Sequence, residues 1–126
     1  MSNPDNMPLY IKTYKLLKYL YFRVKNFKKE YKYTLGNDIL AQAWDVLDNI
    51  VRANAQPNCE KFQLLKEASI SFDKLKMRLR MAHELGLISH KQYAFIINQT
   101  TEIGKMLNGW YLWSEKLSSS VAKARI

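Results

Sequence analysis

Leu85-Gly86-Leu87-Ile88-Ser89-His90-Lys91-Gln92, residues 85–92, is the stretch on which the fold turns. It begins with a helix stop and ends with a helix start. Glycine just past a last helical turn takes up the left-handed backbone that terminates a helix. Serine followed three residues later by glutamine is a capping box, which opens one. Two helices joined by so short a connection pack as antiparallel neighbours.

Working outward from that turn, the chain reads as apolar stripes at helical spacing. Upstream, Leu64, Leu65, Ala68, Phe72, Leu75, Leu79 and Ala82 form the inner face of one helix. Downstream, Tyr93, Ile96, Ile97, Thr100, Ile103, Gly104, Leu107 and Tyr111 form that of the next. Ala55-Gln56-Pro57-Asn58 is the strongest break, with Asn58 placed to cap the helix after it. Before the break, Thr34 is the N-cap expected for a helix burying Ile39, Leu40, Ala43, Val46, Leu47, Ile50 and Val51. The first helix begins at Pro8 and carries Leu9, Thr13, Leu16, Leu17, Leu20, Val24 and Phe27 inward, running to about Lys29. The expected fold is all-α, an up-down-up-down antiparallel four-helix bundle over residues 9–113. Residues 1–8 read as an N-terminal extension, and 114–126, with Ser118-Ser119-Ser120, as a frayed basic tail.

The 126 residues suffice for one domain, and four Gly with three Pro supply too few turns for a many-stranded sheet. One cysteine, Cys59, excludes an internal disulfide, and with two histidines beside it no metal or other cofactor is expected. The first eight residues are polar and no run of 18 apolar residues exists, so neither a signal peptide nor a membrane partner is expected, and the location reads as cytoplasmic. No Gly-rich phosphate loop, His-Glu-x-x-His, Cys-x-x-Cys or paired acid and base at helical spacing occurs. The chain is therefore read as having no catalytic residues, and not as an enzyme.

Charge points to the partner class. Twenty Lys and Arg oppose eleven Asp and Glu, a formal +9 that suits a polyanion or an acidic protein surface. Residues 1–33 carry +6, 34–60 carry −3, and 61–86 and 87–126 carry +3 each. On the first helix Lys15, Lys18, Lys25, Lys29 and Lys32 share one arc, while Lys12 and Arg23 flank the other edge of the core stripe. Tyr14, Tyr19, Tyr21, Phe22, Tyr31 and Tyr33 are interleaved with them. Lysines neutralise phosphates without reading sequence, and exposed rings stack on unpaired bases. A second basic cluster, Lys74, Lys76, Arg78 and Arg80, lies on the third helix, with Asp73 in reach of Lys76 for a surface ion pair.

Two helices also carry apolar lines away from the core. Ile70, Met77 and Met81 run along the third, and Phe95, Met106 and Trp113 along the fourth, as expected of a homo-oligomer that buries them between subunits. Gly104 and Gly109 within the fourth helix call for a packing reason, the close approach of another helix.

Three strings resemble the accessory variability determinant (Avd) family of diversity-generating retroelements. Phe27-Lys28-Lys29 through Tyr33-Thr34-Leu35-Gly36 is similar to the family's Phe-Pro-Lys and Leu-Gly opening of helix 2, with Lys28 in the place of the proline. Leu75-Lys76-Met77-Arg78-Leu79-Arg80-Met81-Ala82 resembles its Leu-Arg-x-x-Leu-Arg-x-Ala, with Lys76 at the first arginine. Glu102-Ile103-Gly104-Lys105-Met106-Leu107-Asn108-Gly109-Trp110 is similar to its Glu-Ile-Gly-Arg-Met-Leu-Gly-Gly-Trp, with Asn108 at a glycine. The resemblance implies a non-catalytic subunit assembling as a homopentameric barrel of four-helix bundles. It also implies partners: the retroelement reverse transcriptase, template RNA and cDNA, in support of mutagenic reverse transcription. The family's basic residues carry over to Arg80 and Lys76. The other reading of the same residues is a structural or protein-interaction bundle with no nucleic-acid role.

Overall fold

The computed structural model describes residues 6–124. It is all-α. Four long helices, α1 (Pro8–Val24), α3 (Leu35–Ala55), α4 (Phe62–Glu84) and α5 (His90–Ala124), are joined by a helical turn α2 (Lys29–Lys32), a 3-10 turn (Asn58–Glu60) and the 85–89 connection. No strand occurs among the described residues. α1 packs against α3 and α5, and α4 packs against the same two helices, so α1 and α4 stand diagonally across the bundle.

The expected stripes meet in one core. Leu16, Leu17 and Leu20 of α1, Ile39, Val46 and Ile50 of α3, Leu65, Leu75 and Leu79 of α4, and Ile96, Ile103 and Leu107 of α5 are almost wholly buried. Ile97, expected inside, is exposed, because the α5 stripe is carried by Ile96, Thr100, Ile103 and Leu107 and leaves its neighbour on the flank.

The decisive turn forms as its residues dictate. Gly86 has φ of 76°, its N–H donates to the His83 carbonyl at 3.0 Å, and the Leu87 N–H donates to that of Ala82 at 2.9 Å. That pair of bonds is a Schellman motif, which satisfies carbonyls the helix end would otherwise strand. Ser89 and Gln92 exchange side-chain to backbone hydrogen bonds at 3.1 Å each way, completing the capping box.

Three boundaries differ from the sequence reading, and at a fourth the expected cap bond does not form. α1 ends at Val24 instead of about Lys29, as the Asn26 and Phe27 N–H groups turn to the carbonyls of Arg23 and Val24. Phe27 keeps its place in the core, but from a turn. This lets the chain double back so tightly that Gly36 of α3 meets Val24, where a Cβ would stand 2.7 Å from Val24 Cγ1. Thr34 occupies the N-cap position of α3, yet its hydroxyl donates back to the Glu30 carbonyl at 3.1 Å and caps nothing. Asn58 opens the 3-10 turn, and α4 starts after Lys61 without a side-chain cap. Beyond Trp113 the chain does not fray: α5 continues to Ala124, with Ser114 buried and its hydroxyl bonded to the Tyr111 carbonyl at 2.7 Å. Most of the N-terminal extension, and the last two residues of the expected tail, lie outside the described residues.

Candidate nucleic-acid and partner interfaces

The early end of α1 divides its expected lysine arc into two groups. Lys15 and Lys18 project from α1 itself, Lys25 caps its C-terminus, and Lys29 and Lys32 belong to α2. Lys15, Lys18, Lys25 and Lys29 are exposed, Lys32 is half-buried with its ammonium 5.6 Å from the Tyr33 ring centre, and none has a carboxylate partner among the described residues. Lys12 and Arg23 have a different situation. Lys12 pairs with Glu102 across the α1–α5 seam, and the Arg23 guanidinium lies 5.1 Å from the Tyr19 ring centre. Hydrogen bonding to Lys12 and its charge hold the Glu102 carboxyl below the usual carboxylate range. Lys12 thus ties α1 to α5, and Arg23 is held against its own helix one turn back; the five lysines have no carboxylate tie among the described residues.

On α4 the second cluster surrounds the ridge opposite the core. Lys76 pairs with Asp73 at 3.4 Å and lies 4.9 Å from the Phe72 ring centre, while Arg80 approaches Glu84 at 3.7 Å. Both pairs are exposed and within one helix, the kind that contributes little to stability and yields readily to a stronger anion. Arg78 donates to the Lys74 carbonyl at 3.1 Å, and Lys74 stands exposed without a carboxylate. Because α1 and α4 are diagonal, the two basic clusters open on different sides of the bundle.

The α4 apolar line is present as expected: Ile70, Met77 and Met81 are exposed in one row, Met77 to 61%. The α5 line is not continuous. Trp113 is exposed, Phe95 rests against Tyr19 with ring centres 4.7 Å apart, and Met106, expected at a subunit contact, packs on the bundle's own core. The two α5 glycines separate in the same way. Gly104 sits against Phe72, whose ring carbon would be 3.4 Å from a Cβ, whereas nothing lies within 4 Å of one at Gly109.

Three features had gone unread in the sequence. Lys61, read only as one of twenty cations, is buried, and its ammonium donates to the carbonyls of Ala53 at 2.7 Å and Gln56 at 2.6 Å. It closes the C-terminus of α3, where carbonyls lack helical partners and the helix dipole favours a cation. The Trp110 ring lies beside it at 5.8 Å, and burial lowers its pKa. His83 Nε2 and His90 Nδ1 meet at 2.8 Å across the 85–89 turn, with Tyr93 stacked on His83. Trp44, on the solvent side of α3, donates its indole N–H to the Tyr21 hydroxyl at 2.8 Å. Only the first had a sequence signal, a lysine just after the break at a helix C-terminus.

No group of three or more His, Cys, Asp or Glu able to hold a metal occurs among the described residues, and no described helix is long and apolar enough to cross a membrane. No curated protein matches the sequence. A family model described as bAvd-like matches residues 8–113, which spans all four long helices and stops within α5. With the Leu75-x-x-x-Leu79-Arg80 string along α4 and the Gly-containing string along α5, the chain belongs to the bAvd-like family.

Proposed function

We propose that the chain is the non-catalytic accessory protein of a diversity-generating retroelement, which binds the reverse transcriptase and its template RNA and cDNA and supports mutagenic reverse transcription in the cytoplasm. The observation that carries this reading, beside family membership, is the pair of basic faces on diagonal helices. Lys15, Lys18, Lys25, Lys29 and Lys32 form one, and Lys74, Lys76, Arg78 and Arg80 the other. A scaffold that sets a template relative to a polymerase needs two partner surfaces, and phosphate contacts by lysine give salt-sensitive, sequence-independent affinity. Contacts such as Tyr19–Phe95 with Lys12–Glu102, and Phe62–Tyr111 with His83–His90, support the up-down-up-down order of helices. The subunits assemble as the family's homopentamer, burying Ile70, Met77, Met81, Gly109 and Trp113, with Phe95 at the margin.

Labelled RNA titrated across a salt series tests the reading. Binding is expected at about 50 mM salt, weakening linearly in log–log form as salt rises. Lys76→Glu with Arg80→Glu weakens binding of the polymerase or of RNA and leaves the light-scattering mass of the assembly unchanged. Absence of binding at that salt would favour a bundle that interacts with protein alone, and a monomeric mass at micromolar concentration would refute the assembly.

A further inference from the structure

The edge of α1 that faces α3 carries a periodicity of its own. Tyr10, Tyr14, Lys18, Tyr21 and Lys25 follow at steps of four, four, three and four, one stripe about 22 Å long at 1.5 Å per residue. Open grooves adjoin along it. Tyr14 and Trp44 are shared by the first two, and Tyr21 by the second and third, which Tyr33 and Lys32 close. The rings stand well out of the core, Tyr14 at 46% exposure, Tyr21 at 47% and Trp44 at 41%. They are also held in place, since Trp44 is hydrogen-bonded to Tyr21 and Tyr14 stacks on Tyr10 with centres 6.0 Å apart.

Rings that are exposed and pre-oriented lose little entropy when a flat partner stacks on them. The cations around them narrow the partner further. Lys18 and Lys25 lie within the stripe and Lys32 and Arg52 at its ends, none paired with a carboxylate among the described residues. Asp48 stands beside Arg52, so the positive path follows α1 rather than α3. Charged residues are depleted from the centre of protein–protein contacts, and a second copy would bring another +9 chain to a basic face. Alternating π-faces and phosphate-binding cations are instead the chemistry of a single-stranded nucleic acid, whose bases are free to stack. A duplex hides those faces.

We propose that the α1–α3 groove binds single-stranded nucleic acid, stacking bases on Tyr14, Trp44, Tyr21 and Tyr33 while Lys18 and Lys25 take the phosphates, and that it thereby prefers single strands to duplex. The site spans on the order of four to six nucleotides. This rests on the nucleic-acid reading above and adds which face is used and for which form of the polymer.

Fluorescence anisotropy of the full chain with a labelled 20-nucleotide oligouridylate, beside a 20-base-pair adenylate–uridylate RNA duplex, tests it. Tyr14→Leu with Tyr21→Leu keeps apolar, helix-favouring side chains but removes two π-faces. It is expected to weaken single-strand binding about tenfold or more, leaving duplex affinity and the salt slope as they were. Tyr33→Leu, outside the long helices, lowers single-strand affinity several-fold on its own. Lys18→Gln with Lys25→Gln weakens both ligands and reduces the single-strand salt slope by about 1.4. Equal losses on both ligands in the tyrosine variants, no loss on either, or a fall in assembly mass on light scattering would overturn the proposal. Wild-type protein that binds neither ligand at about 50 mM salt would overturn the nucleic-acid function with it. Wild-type binding that the tyrosine variants do not change would overturn this site alone.

Discussion

Replacing Lys61 by methionine keeps most of the side chain's length and removes only its charge and its donors. The residue is 7% exposed, and its ammonium bridges the carbonyls of Ala53 and Gln56 at 2.7 and 2.6 Å, with Asn54 O at 3.4 Å. The Ala53 carbonyl also accepts the Gln56 N–H at 3.2 Å and so keeps one partner, while Gln56 is exposed and water can reach it. Losing a charge-assisted bond at the buried carbonyl costs about 2 kcal/mol, and losing a cation at the helix C-terminus about 0.5–1. A further contribution of about 0.5 kcal/mol comes from the half-solvated bond to Gln56. Relief of burying the ammonium, the effect that lowers its pKa, offsets part of this. The expected net loss is about 2–3 kcal/mol, on the order of 10 °C in Tm for a chain of this size. Urea unfolding followed by helix circular dichroism, at one protein concentration so that assembly contributes equally, measures it. A loss below about 0.5 kcal/mol would refute the reasoning, because the desolvation cost of the ammonium would then cancel its bonds.

The Lys12–Glu102 pair gives a pH signature. The folded carboxyl is held below its unfolded value, so the pair's contribution is present above the ordinary glutamate range and is lost as pH falls through the lowered folded value. The Tm difference between wild type and Glu102→Gln should therefore be present near neutrality and close in acid, and a difference constant with pH would contradict the pairing. Gly36→Ala and Gly86→Ala should both destabilise, for separate reasons. The first forces a Cβ to within 2.7 Å of Val24 Cγ1 and costs about 1–3 kcal/mol, whereas the second puts a side chain at φ of 76° with open space around it and costs about 1–2. Asparagine, which tolerates left-handed backbone, should recover part of the loss at 86 and none at 36, as read from urea midpoints.

The helices were legible where local chemistry and burial agree. Gly86 and the Ser89–Gln92 box set one connection by backbone rules alone, and the three-and-four spacing identified most of the core. The end of α1 was hidden because Leu20, Val24 and Phe27 keep helical spacing although Phe27 reaches the core from a turn, with no Gly or Pro at 25–33 to mark it. The same error put Lys29 and Lys32 on a wheel to which they do not belong. At the other end, three serines read as a tail, yet α5 incorporates them. Among the site residues, exposure at Lys15, Lys18, Met77 and Met81 follows from the period of their helix. The engagement of Lys12 and Met106 does not, because one depends on a residue 90 positions away and the other on the packed core, whereas Arg23 meets Tyr19 one turn back on its own helix. Trp44 was invisible for that reason too: its partner, Tyr21, lies 23 residues earlier in the chain.

The diagonal placement of α1 and α4 has a thermodynamic consequence. The two basic faces lie on opposite corners of the bundle and share no ion-pair or hydrogen-bond partner among the described residues, so charge substitutions on them should change binding free energy additively, within about 0.3–0.5 kcal/mol, when each face holds its own ligand. A single strand passing from one face to the other would break that additivity, since loosening one contact alters how the next is made. A double-mutant cycle across Lys18 and Arg80 therefore distinguishes two independent grips from one continuous path of nucleic acid around the bundle.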